Sequence, residues 1–131
     1  MNWLFKEEPT HYSFEQLQKD GQTVWSGVRN ALAQKHLASV RKGDRIYYYH
    51  TGDVKAIVGV ARATRDAYRD PDDPALFVVD VKAVAPLPKP VPLSAVKASA
   101  RFASFPLVRL PRLSVMPVSD DEWKALEAMA K

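Results

Sequence analysis

The sequence predicts a mixed α+β fold, a small and mostly antiparallel β-barrel with helices packed around it. Three observations lead there. The run Arg45-Ile46-Tyr47-Tyr48-Tyr49-His50 is dense in residues that favour strands, and Thr51-Gly52-Asp53 supplies a turn before a second apolar run at 57–61, the signature of a hairpin. Phe77, Val79, Val81 and Ala83 alternate with Val78, Asp80, Lys82 and Val84, so a later strand has one buried and one partly exposed face. Ser13 and Ser119 each stand three residues before a Gln16 or a Glu122, the spacing at which a hydroxyl and a longer polar side chain cap a helix reciprocally.

The remaining elements follow in order. Residues 2–5 are an apolar run suited to a buried strand, stopped at Glu7-Glu8-Pro9 because proline restricts the backbone before it. Ser13 opens a short helix that carries Leu17 and ends at Gly21. Residues 25–30 read as a turn. Asn30 then caps a second helix through about Val40, with Leu32, His36 and Leu37 near one face, and Arg41-Lys42-Gly43-Asp44 ends it. From Pro86 to Pro92 the chain spends four of its ten prolines, which predicts an extended loop over the surface rather than a strand. Residues 93–98 and 102–107 read as brief helical turns and 113–118 as a closing strand. A final helix follows Ser119, with Trp123, Leu126 and Ala130 as its inner stripe.

At 131 residues the chain fits one domain, 1–131, and 47% hydrophobic with 26% charged residues is ordinary globular composition. No apolar stretch approaches the roughly 18 residues of a membrane span, and the first residues lack the pattern of a secretory leader, so the expected location is the cytoplasm. With no cysteine, and with His11, His36 and His50 scattered, neither a metal nor another cofactor is expected. The net charge of +4 is unevenly spread. Lys82, Lys89, Lys97, Arg101, Arg109 and Arg112 occur with no acid between 82 and 118, whereas 66–80 holds five acids against Arg69. A basic face of this kind meets polyanions; its plain alternative is a solvated surface.

The hexapeptide Trp25-Ser26-Gly27-Val28-Arg29-Asn30 puts an indole, a flexible glycine, a cation and an amide within one turn. A flat heteroaromatic ligand such as a nucleobase uses that mixture: a ring to stack on, an amide for its edge, a cation for phosphate. Trp25 is the stacking candidate, with Trp3 or Tyr12 as a second wall, each weighed against plain core packing. Arg29 is a candidate anion partner and Asn30 a candidate edge reader, although Asn30 also suits a helix cap and Arg29 an ion pair. Lys6 projects from the end of the first strand toward possible phosphate, Ser13 doubles as a cap, and His50 closes an aromatic strand at the predicted rim. Ser114 and Leu113 offer hydroxyl and backbone contacts.

Six motifs occur in an order that resembles a known family. They are Trp3-Leu4-Phe5-Lys6 with Glu8-Pro9 and Tyr12-Ser13; Trp25 to Asn30; Gly43-Asp44 with Tyr49-His50; Ile57-Val58-Gly59; Ala67-Tyr68; and Arg112-Leu113-Ser114-Val115. Over nearly its whole length the chain resembles the EVE domain, a PUA-like fold related to the YTH and ASCH domains and to thymocyte nuclear protein. It departs from the family pattern at Ser26, where aspartate is common, and at Thr51, where serine is. The resemblance implies a non-catalytic module that binds DNA or RNA and takes a flipped, modified base, of the 5-methylcytosine or 5-hydroxymethylcytosine type, into an aromatic-walled pocket. It implies ligand contacts from Trp3, Lys6, Tyr12, Ser13, Trp25, Gly27, Val28, Arg29, Asn30, His50, Leu113 and Ser114. A monomer is expected, although no residue pattern in the sequence decides the oligomeric state. Two other classes compete: an enzyme acting on nucleotides, for which no nucleophile motif, phosphate-cradling loop or carboxylate pair is present, and a protein-interaction module using the proline-rich segment. A reader predicts that Trp25→Ala abolishes binding and leaves the fold intact.

Overall fold

A computed structural model describes residues 1–131. Its strands are β1 (Asn2–Glu7), β2 (Gln22–Trp25), β3 (Arg45–His50), β4 (Ala56–Ala63), β5 (Tyr68–Arg69), β6 (Phe77–Pro92) and β7 (Val115–Val118). Its helices are α1 (Phe14–Asp20), α2 (Ala31–Leu37), α3 (Leu93–Ala98), α4 (Pro106–Arg109) and α5 (Asp120–Met129), with one 3-10 turn at Ala100–Phe102. The mixed α+β class is as the sequence predicts.

The strands pair in the order β2-β6-β4-β3-β1-β7, with β5 added on β6. All ladders are antiparallel except β1 on β3, where Trp3 lies opposite Ile46 and Phe5 opposite Tyr48. The expected barrel is corrected here: the path has two ends, and no ladder joins β2 to β7. Side chains do the joining instead. Trp25 of β2 meets Phe5 of β1 at 5.2 Å between ring centroids and Tyr48 of β3 edge-on at 5.4 Å, although β6 and β4 also lie between in the sheet. Helix α2 packs on both β6 and β7, and its Gln34 bonds the Phe77 amide through Oε1 at 2.8 Å.

The interior of this curl is a cluster of 31 buried hydrophobic residues. Strand β3 is buried from Ile46 to His50, so both faces of the tyrosine run are inside. Tyr47 stacks on Trp123 at 3.6 Å and donates its hydroxyl to the Trp123 carbonyl at 3.0 Å, which docks α5 on the sheet. That helix starts with the predicted capping box between Ser119 and Glu122. The carboxylate of Asp44, also buried, accepts from the Trp3 indole at 2.9 Å, the Arg41 amide at 2.9 Å and the Met1 ammonium at 3.0 Å. Burial pushes its pKa up, but these donors outweigh burial and hold it below the usual range.

Four local expectations are corrected. The segment Pro86 to Pro92 is no loop: β6 runs through it, with Val91 opposite Ile57. The ladder with β4 breaks across this stretch: its pairs jump from Gly59–Pro86 to Ile57–Val91, so residues 87–90 have no register partner and Pro88 and Pro90 fall where no ladder bond is needed. Residues 22–25 form β2, leading into the predicted turn. Helix α2 ends at Leu37 and buries Ala33 and Leu37, leaving Leu32 outside. The last strand begins at Val115, two residues after Leu113.

Two outcomes follow from this packing. A Cβ on Gly59 would stand 2.4 Å from the ring of buried Phe14, so Gly59→Ala should cost about 1–3 kcal/mol, read as a lower urea midpoint at unchanged slope. Because the Asp44 carboxyl titrates below its unfolded value near 3.9, its contribution is complete above that pH and is lost as pH falls toward the folded value. Asp44→Asn should therefore lower stability at pH 7 and flatten this part of the acid-unfolding profile, measured by circular dichroism.

Candidate nucleic-acid interface

A cleft of about 220 Å³ opens where β2 runs into the 26–30 loop, bounded by Glu7, His11, Tyr12, Thr23, Val24, Trp25 and Ser26. Alternation along β2 turns Val24 outward, 49% exposed, and Trp25 inward, 6% exposed, so little of the indole is open to the cleft it borders. On the opposite wall Tyr12 donates its hydroxyl to Asp20 Oδ2 at 2.7 Å. The same carboxylate accepts from Gln16 Nε2 at 2.9 Å, and these two bonds hold Asp20 below the ordinary carboxylate range. Burial and the Asp20 bond push the Tyr12 hydroxyl up. Glu7 supplies an acid: Oε1 accepts from the Glu8 amide at 2.9 Å and Oε2 lies 3.1 Å from His11 Nδ1. A carboxylate has about four lone-pair sites, so acceptor capacity remains for a guest.

The hexapeptide divides its residues among separate tasks. Gly27 takes φ +76, a left-handed turn in open space that favours glycine on conformational grounds alone. Val28 is buried, and its carbonyl accepts from Gln34 Nε2 at 2.6 Å, which ties the loop to α2. Arg29 points outward, 3.9 Å from Asp73. Asn30 caps α2 by accepting from the Ala33 amide at 3.0 Å. Of the six residues, only Trp25 and Ser26 line the cleft.

The other candidates are dispersed. Trp3 is sealed in the interior, 2% exposed, with its indole N–H bonded to Asp44, so it forms no second wall. Ser13 caps α1 through the Gln16 amide at 3.0 Å. His50 is buried: Nε2 accepts from the Phe14 amide at 3.3 Å, and Nδ1 faces the Glu7 carbonyl at 3.4 Å. Both ring nitrogens thus face backbone groups. Lys6 and Glu7 alternate on β1, so Lys6 faces away from the cleft. It donates to the Pro111 carbonyl at 2.9 Å and sits 5.6 Å over the Tyr49 ring, and burial lowers its pKa. Asn30 and Leu113 line another cavity of about 330 Å³, together with Arg109 and Arg112. Ser114 contributes its carbonyl to the Lys6 amide at 2.9 Å.

The sequence reading missed Glu7, His11 and Thr23. Thr23 lies in β2, a strand with no clear signal in the sequence, and Glu7 reads as the end of a strand. Only the period-two alternation from Phe5 marks Glu7 as facing the same side as the interior.

The family model described as the EVE domain matches residues 1–129. The chain belongs to the EVE domain family. An NMR structure of a Rhodopseudomonas palustris protein is 44% identical to this EVE domain, with a TM-score of 0.93, covering 98% of this chain and 92% of that one. Thymocyte nuclear protein 1 of Gallus gallus is 27% identical over 158 residues; the match covers 93% of this chain and 65% of that protein, so the domain spans just under two thirds of its relative. The crystal structure of human THYN1 in complex with 5-methylcytosine containing DNA has a TM-score of 0.90 at 23% identity, covering 99% of this chain and 97% of that one, and shows a shared fold.

The burial of Trp25 in this EVE domain overturns the expectation that it can be truncated harmlessly. Its ring closes the curl against Phe5 and Tyr48, so Trp25→Ala should cost about 3–5 kcal/mol, measured by urea unfolding. Loss of binding in that variant therefore has to be read on the fraction still folded.

Proposed function

We propose that this EVE domain is a non-catalytic nucleic-acid reader that admits one flipped cytosine modified at carbon 5, carried by DNA, into the Trp25 cleft. The observation that carries the reading is the acid in that cleft. A carboxylate repels phosphate, so Glu7 disfavours backbone there, yet it accepts hydrogen bonds from an exocyclic amine. Cytosine carries such an amine and thymine does not, which separates the two pyrimidines that share a 5-methyl group. Trp25, Tyr12 and Val24 line the cleft and supply apolar surroundings for the 5-substituent. At about 220 Å³ the cleft is smaller than the roughly 300–1,000 Å³ of sites for drug-sized ligands and suits a single base. Support also comes from the likeness to human THYN1, whose structure holds 5-methylcytosine containing DNA.

Fluorescence anisotropy with oligonucleotides that differ at one base tests this, using 5-methylcytosine, 5-hydroxymethylcytosine, cytosine and thymine, each in DNA and RNA. The expected order places modified cytosine in DNA at least tenfold tighter than thymine, about 1.4 kcal/mol. Glu7→Gln should narrow that gap. Equal affinity for all four bases in the wild type overturns the reading, and a preference for the RNA series moves it to RNA.

A further inference from the structure

The 330 Å³ cavity is one of three that run into one another on the side of β1 away from the Trp25 cleft. It shares Pro111 with a cavity of about 280 Å³, which in turn shares Lys55 and Leu93 with a third of about 300 Å³. Arg109, Arg112, Lys6, Lys55 and Lys97 stand along this groove, and no aspartate or glutamate lines any of its three parts. Glu8 lies at its border against Gly52, with Oε1 accepting from Thr51 at 3.0 Å. Lys6 is engaged by the Pro111 carbonyl; the other four cations make no side-chain hydrogen bond or ion pair.

Charge alone would suit any polyanion. The groove also holds three of the chain's six exposed large hydrophobic residues, Leu32 at 41%, Val54 at 46% and Leu110 at 46%. Cations interleaved with apolar side chains fit a ligand that alternates phosphates with sugars and bases. The groove also begins beside the cleft. Ser26 lines the cleft and Asn30 the groove, and four residues of chain span at most about 14 Å, a distance covered by a few nucleotides.

We propose that this groove carries the sugar-phosphate backbone of the single strand flanking the base held in the Trp25 cleft. The inference rests on the base-reading proposal for its starting point, but it makes a separate prediction, because backbone contacts hold any sequence alike.

The test replaces Arg109, Arg112, Lys55 and Lys97 by Gln, singly and together, with Lys19→Gln and Lys124→Gln, which lie outside the groove, as controls. Affinity for one unmodified and one 5-methylcytosine oligonucleotide is measured across a salt series. Each groove substitution should reduce the slope of log affinity against log salt by about 0.7 and weaken both oligonucleotides by the same factor, while the controls leave the slope unchanged. An unchanged slope in the quadruple variant overturns the proposal, as does weakening confined to the modified oligonucleotide. If the wild type does not distinguish the bases and the slope still falls, the base reading fails and the groove stands.

Discussion

The contact of the Trp25 indole with Phe5 and Tyr48 holds this fold in its curl. Strands β2 and β1 share no hydrogen bond, so their approach depends on side chains that meet across the interior. That arrangement explains why one residue serves two ends. The indole belongs almost wholly to the core and little of it is open to the cleft, so the wall a guest would touch is fixed by the same packing that closes the sheet. A site built this way is rigid at its back and adjustable at its rim, where Gly27 turns and Arg29 stands in solvent.

Strand β1 sorts charge by its two-residue period. Glu7 faces the cleft and Lys6 faces the basic groove, although they are neighbours in the chain. An acid where a base amine would be read and cations where phosphates would lie form a consistent division, because a carboxylate repels phosphate and a Lys or Arg cation has no acceptor to offer an amine. The 26–30 loop joins the two regions, and Gln34 fixes it by bonding the Val28 carbonyl together with both backbone groups of Phe77. The position of the loop thus follows from a single amide side chain on α2.

Much of the architecture was legible because its signals are local. The tyrosine run, the alternation from Phe77, the Ser13 cap and the reciprocal Ser119–Glu122 pair each act within a few residues and form the elements they specify, although the Gln16 side chain bonds Asp20 instead of reaching back to Ser13. The open sheet was not legible, since whether β2 pairs with β7 depends on the curl of all the strands between them. The site was legible as a region and not as a set of contacts. Trp25 and Tyr12 reach the cleft, but Trp3, Ser13 and His50 are claimed by Asp44, the α1 cap and the backbone, partners 3 to 43 residues away that composition does not reveal. Glu7 was overlooked because an acid argues against nucleic acid until the guest's amine is considered.

The prolines of β6 have a further effect. An open sheet has unpaired rims, and a rim whose amides are free invites a strand from a second molecule to add to it. Between Pro86 and Pro92, four positions of β6 are imino acids with no hydrogen to give. The same residues that disguised this strand as a loop in the sequence thereby leave it a poor template for intermolecular stacking into fibrils.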